Sequence, residues 1–169
     1  MGKLEIERKF LLKSLPKIKE DDKFEIEQFY FKNSHGVWER ARTYHSEISG
    51  DKYIHTVKKS VSKGVNMEDE YEMTKEEFET FKSKCFKPNV ESKHISKERW
   101  IYKMGDLKWE VDKFNSGYNL IIAEIEIPTK SFKVNFPNYI EEVKLLEVTG
   151  LKQFSNRALS LKIEKNGTI

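Results

Sequence analysis

Eight stretches of this chain alternate with a period of two, and that pattern limits the fold more than any other feature of the sequence. Successive side chains of a strand point to opposite faces, so a period of two means strand. The pattern predicts strands near 3–12, 24–32, 36–45, 51–60, 65–73, 93–103, 106–114 and 119–127. Turn chemistry separates them: "KNSHG", "ISGD", "SKG", "KMGD" and "NSGYN" are each short enough to join antiparallel neighbours. Sequential strands with such connections predict a meander that closes as a barrel.

Helical signals are fewer. In "TKEEFETFKSKCF", Thr74 and Glu77 form a capping box, Phe78, Phe81 and Cys85 give an apolar stripe, and Pro88 lies beyond the end. A second helix is predicted from Pro137 in "PNYIEEVKLLEVTG", with Gly150 as its stop and Tyr139, Ile140, Val143 and Leu146 as the face that covers the barrel. A third fits "SNRALSLKIEK" after Ser155. The expected class is α+β: an eight-stranded antiparallel β-barrel, a tunnel, with a few helices packed outside. A chain of 169 residues favours one domain spanning 1–169.

Charge sets the next constraint. Charged residues make up 35% of the chain, against about a quarter in ordinary globular proteins, and they sit on strand faces that would otherwise be unremarkable. The balance is nearly even, 31 Lys and Arg against 28 Asp and Glu, with no block of one sign, so nucleic acid is not an expected partner. No apolar run approaches membrane-spanning length and no signal segment opens the chain; no membrane contact and a cytoplasmic location are expected. The lone Cys85 excludes an intramolecular disulfide and argues against a cysteine metal site. His35, His45, His55 and His94 lack metal-ligand spacing, and Trp38, Trp100 and Trp109 read as packing residues.

In "LEIERKF", Glu5, Glu7 and Lys9 share one face, while Arg8 falls with Leu4, Ile6 and Phe10 on the other. "EIEQFYF" groups Ile26, Gln28 and Tyr30; "VWERARTY" groups Trp38, Arg40 and Arg42; "YIHTVKKS" groups Thr56 and Lys58. Glu68, Glu70 and Glu72 align in "EDEYEM", Arg99 comes from "ERWIY", Glu110 and Asp112 align in "KWEVDKF", and Glu124 and Glu126 in "LIIAEIEIP". An antiparallel sheet normally turns such a face to water. Acidic pairs at spacing two in four strands, beside an Arg-x-Arg pair, are too selective for that and point into a lumen. There, carboxylates hold a hard divalent cation, Mg²⁺ or Mn²⁺, while Arg and Lys bind polyanionic oxygens. Together they describe a polyphosphate pocket.

"EIERKF" resembles the N-terminal Glu-x-Glu-x-Lys signature of the CYTH superfamily, the triphosphate tunnel metalloenzymes. "QFYF", "ERAR", "TVKKS", "DEYEM", "KERW", "WEVDKF", "IIAEIEI" and "EVTGLKQFSNRALS" follow in the family's order, over nearly the whole chain. The resemblance implies an eight-stranded tunnel and metal-dependent hydrolysis or cyclisation of a triphosphate. It implies metal ligation by Glu5, Glu7, Asp112, Glu124 and Glu126, with Glu70, Glu72 and Glu110 as supporting acids. Lys9, Arg40, Arg42, Lys58, Arg99 and Lys152 look like the phosphate-binding set, and Arg8 and Lys59 alternate outward. Lys9 with Tyr30 resembles the pairing of prokaryotic tripolyphosphatases, so Lys9, Tyr30, Glu5 and Glu7 are the expected catalytic groups. Phe154 departs from the family, which often has Tyr there. The expected activity is cleavage of a terminal phosphoanhydride, with inorganic tripolyphosphate first. The alternatives are a class IV-type adenylate cyclase, a thiamine triphosphatase, or a polyphosphate- or nucleotide-binding module without turnover. The expected partner is a small polyphosphate or nucleoside triphosphate, and the assembly a monomer or homodimer.

Overall fold

In a computed structural model, which describes residues 2–115 and 119–165, the strands are β1 (Lys3–Leu12), β2 (Asp22–Lys32), β3 (Trp38–Ser46), β4 (Gly50–Ser62), β5 (Val65–Met73), β6 (Ser92–Met104), β7 (Leu107–Phe114) and β8 (Ile121–Glu126). They follow the predicted spans closely, because alternation and Gly-containing turns act locally. Gly50 and Gly64 take left-handed backbone at two of the hairpins. Residues 116–118, the centre of the "NSGYN" turn, lie outside the described residues.

The sheet closes on itself in the order β6-β2-β3-β4-β5-β1-β8-β7, and β7 pairs back to β6, every pairing antiparallel. Closure removes the sheet edges that would otherwise invite foreign strands. The order is not the sequential meander expected. β2 to β5 and β6 to β8 are two meanders, but β1 lies between β5 and β8 and never pairs with β2. Residues 13–21 separate β1 from β2 without a hairpin, so β1 is free to seal the two meanders.

Apolar side chains on the outer wall form two cores. Phe10, Trp109, Val111, Ala123 and Ile125 pack under Ile140 and Val143. Phe29, Phe31, Ala41 and Met73 pack under Phe78, Phe81 and Cys85 of α1 (Lys75–Cys85). The α1 capping box forms: Thr74 Oγ1 accepts from the Glu77 amide, and the Glu77 carboxylate accepts from the Thr74 amide at 2.7 Å. None of the described helices is long and apolar enough to cross a membrane.

The other two predicted helices are corrected. The segment from Pro137 to Gly150 is a single helical turn, α2 (Asn138–Glu141), followed by a strand, β9 (Lys144–Glu147), paired with Phe10–Leu12 of β1. β5 covers β1 only from Lys3 to Ile6, so the rest of that edge has unmet backbone groups, and β9 fills it. Ile140 and Val143 are buried as expected, but Leu146 is half exposed and takes no part in a covering face. After a 3₁₀ turn at Lys152–Phe154, the third helix is again one turn, α3 (Asn156–Leu159), started by Ser155, whose hydroxyl accepts from the Ala158 amide. It ends in β10 (Leu161–Lys162), paired with Lys93 and His94 of β6.

Candidate active site

The inward faces of the eight strands enclose a cavity of about 1000 Å³. One end opens among Lys3, Lys52, Lys103, Lys108 and Glu126. At the other, Tyr30, Ile95, Phe114 and Ile122 form an apolar floor, backed by Phe154 and Leu159 of the C-terminal segment. The wall at β2, β3 and β6 is apolar near the mouth, where Phe24, Ile26 and Ile101 cluster with Tyr44. Charge is concentrated on the rest of the lumen.

Register decides which charges meet. Glu7 stands opposite Glu126, and Glu124 opposite Lys9 on one side and Glu110 on the other. Like charges placed directly across strands repel. Burial, with Glu68 and Glu126 nearby, pushes the Glu5 carboxyl up to about 7, and among the described residues Glu5 has no ion-pair partner. Burial and Glu124 push Glu7 up as well. Burial also opposes charge on Glu124, but Lys9 and Arg99 more than offset it and hold this acid well below the carboxylate range.

The cations are mostly held by these acids. Lys9 Nζ lies 3.0 Å from Glu124 and donates to the Phe154 carbonyl at 3.3 Å. Lys58 pairs with Glu68 at 2.9 Å and reaches Glu7 at 3.5 Å. Arg42 pairs with Glu70 at 2.8 Å, and the Thr56 hydroxyl donates to the same carboxylate. Arg99 grips Asp112 with two parallel bonds of 2.6 and 2.8 Å and also contacts Glu110. Arg40 differs: it is 7% exposed, has no carboxylate partner among the described residues, and its Nε is unpaired. Burial works against its charge, but Tyr30 and Glu68 sustain it.

Most sequence-predicted site residues therefore converge. Glu5, Glu7, Arg40, Arg42, Lys58, Glu70, Arg99, Glu110, Glu124 and Glu126 line the cavity; Lys9 and Tyr30 lie at its deep end. Arg8 is on the outer wall, bound to Glu147 through Nε and a terminal nitrogen at 2.9 Å each. Three predicted residues sit elsewhere. Asp112 is fully buried behind the cavity surface, its oxygens taken by Arg99 and Lys97. Glu72 is exposed beyond Glu70 near the end of β5, where the strand outruns the lumen, and Lys152 is exposed in the 3₁₀ turn. From that turn it is the Phe154 carbonyl that reaches inward.

Sequence reasoning passed over Glu68, Lys97, Gln28 and Asn156 as site residues. Glu68 is 6% exposed in the lumen, and Lys97 is buried on Asp112 with Asn156 Oδ1 3.4 Å away. Burial and the neighbouring Arg99 pull the Lys97 ammonium down to about 8. Alternation marks the first three, since Glu68 shares a face with Glu70, Lys97 with Arg99 and Gln28 with Tyr30. No periodic signal reaches Asn156, which arrives from a terminal turn. None of the four histidines lines the cavity.

Fold and site define a closed antiparallel β-tunnel with acids and bases interleaved in its lumen. Residues 3–158 match the CYTH domain, and the chain belongs to that family. The inorganic triphosphatase NE1496 has a similar structure, with a TM-score of 0.55 and 24% identity over 94% of this chain and 95% of that one. The PH1012 protein of Pyrococcus horikoshii OT3 aligns with a TM-score of 0.53 at 22% identity, over 75% of this chain and 80% of that one. HpAC1 from Hippeastrum, described as having a dominant triphosphatase activity, aligns at 0.52 with 17% identity over 74% and 80%. No curated protein sequence matches the chain significantly.

Proposed function

We propose that the chain is a divalent-metal-dependent hydrolase of triphosphate compounds, with inorganic tripolyphosphate as its preferred substrate. The observation that carries this reading is a buried Arg40 without a carboxylate partner, its Nε unpaired, facing carboxylates that crowd one another. A buried guanidinium with no carboxylate to neutralise it calls for an anion, and crowded carboxylates call for a cation. A metal polyphosphate supplies both at once. CYTH membership and the described activities of NE1496 and HpAC1 support the same chemistry.

Among the described residues, no three Asp, Glu, His or Cys side chains converge in metal-binding geometry. The donor set nevertheless fits a hard cation: Glu5, Glu7, Glu124 and Glu126 offer carboxylate oxygens, and Glu68 adds another. A bound Mg²⁺ or Mn²⁺ would neutralise phosphate oxygens and lower the pKa of the attacking water. Asp112, expected as a metal ligand, is paired here with Arg99 and Lys97 and holds them in place. Arg40, Arg42, Arg99 and Lys58 bind the phosphate oxygens, Arg through paired donors and Lys as a point charge. Glu5 or Glu7 would orient the attacking water and accept its proton. Lys9 and Tyr30, at the deep end, steady charge on the transferred phosphoryl group.

The test is phosphate release from tripolyphosphate, ATP and thiamine triphosphate with Mg²⁺ or Mn²⁺, and cyclic AMP measured in the ATP reaction. Tripolyphosphate should give the highest kcat/KM, no cyclic AMP should form, and Glu5→Gln and Arg40→Ala should each lose on the order of 100-fold. Full activity in both variants would sink the assignment. Tight tripolyphosphate binding without product would make the chain a binding module.

A further inference from the structure

Gln28 is fully buried on the lumen face of β2, yet the phosphate-binding and metal-binding sets give it no task. Its Nε2 donates to the Tyr30 hydroxyl oxygen at 3.0 Å, and its Oε1 has no partner. Gln28 faces Arg42 across the β2–β3 pair, and Tyr30 faces Arg40. Both arginines carry an unpaired Nε. The amide thus turns its nitrogen, not its oxygen, to Tyr30.

A phenol has one proton to give and lone pairs to receive with, whereas guanidinium only donates. With Gln28 donating to the Tyr30 oxygen on one side and Arg40 adjoining it on the other, neither neighbour accepts the hydroxyl proton. That proton is left to point at an acceptor in the lumen.

We propose that Gln28 is a positioning residue that fixes the Tyr30 hydroxyl as a hydrogen-bond donor to the transferred phosphoryl group of the triphosphate, where charge builds in the transition state. The inference rests on the triphosphate reading given above, and its test includes a readout that needs no turnover. Gln28→Leu removes the amide, Gln28→Glu replaces the donor by an acceptor, and Gln28→Met keeps the volume should Leu not fold. In the wild-type minus Tyr30→Phe difference Raman spectrum, the tyrosine Fermi doublet should report an accepting hydroxyl. Gln28→Glu should shift it to the donating side before any ligand is added. In turnover, each Gln28 variant should lose on the order of 10-fold or more in kcat with KM within about 2-fold, as expected when an interaction specific to the transition state is removed. Combined with Tyr30→Phe, Gln28→Leu should cost nothing further, because the two act as one unit. An unchanged doublet in Gln28→Glu, or additive losses in the double variant, would overturn the proposal. A wild-type protein inactive on every triphosphate, but with the doublet shifting as expected, would refute the hydrolase reading and leave the Gln28–Tyr30 geometry standing.

Discussion

Glu5 shows how far a single environment can move a group. Its carboxyl ionises at about 4.5 when unfolded and at about 7 in the barrel, so between those values the folded chain binds more protons. Stability is therefore greatest below about pH 4.5 from this group and falls as pH rises through 7. Because the side chain is about half solvated, screening limits the expected loss to on the order of 1–2 kcal/mol. Thermal melts of Glu5→Gln should lose this slope, and Mg²⁺ should raise the wild-type Tm more at pH 8 than at pH 5.5. Asp112 is the opposite case, a carboxylate whose loss strands two buried cations. Asp112→Asn should destabilise by about 3–5 kcal/mol in urea titrations. Arg8→Ala, next in sequence to Lys9, the proposed catalytic lysine, but on the outer wall, should cost below about 1 kcal/mol and leave kcat within about 2-fold. Alternation alone separated Arg8 from Glu7 and Lys9. It could not show that Asp112 is sealed by Lys97, since that pairing depends on how β6 registers against β7.

At the scale of elements, the strands and α1 were readable because their signals are local. The α2 and α3 regions were not, because their conformation answers a need elsewhere. "KLLE" suits a helix or a strand by propensity, and the open edge of β1 chose strand. The β4–β5 hairpin illustrates a local signal with a remote consequence. Gly64 has φ of 71°, and an added Cβ would come within 2.8 Å of both the Glu7 carbonyl oxygen and Thr149 Cγ2. Gly64→Ala should destabilise by more than about 1 kcal/mol and reduce activity by displacing Glu7, measurable together by urea melts and tripolyphosphate turnover. Thr74→Ala should cost about 1 kcal/mol through loss of the α1 cap and leave kcat unchanged.

For the molecule as a whole, the barrel is closed by its own backbone hydrogen bonds and braced by two outer cores, so it should fold without an ion in the lumen. Chelation with EDTA should abolish phosphate release while the far-ultraviolet circular dichroism stays unchanged; unfolding on chelation would contradict this. Adding Mg²⁺ with tripolyphosphate should then raise Tm with ligand concentration, since binding favours only the folded chain. The sequence by itself determined the strands, the inward parity of Glu5, Glu7, Lys9, Arg40, Arg42 and Glu124, and the first helix, because alternation and capping act within a few residues. Only the tertiary structure decided that β1 seals two meanders, that β9 is a strand, that the C-terminal turn delivers Phe154 and Asn156 to the lumen, and that Arg40 is left without a carboxylate partner. Those outcomes come from contacts between residues far apart in the chain, which period and propensity do not encode.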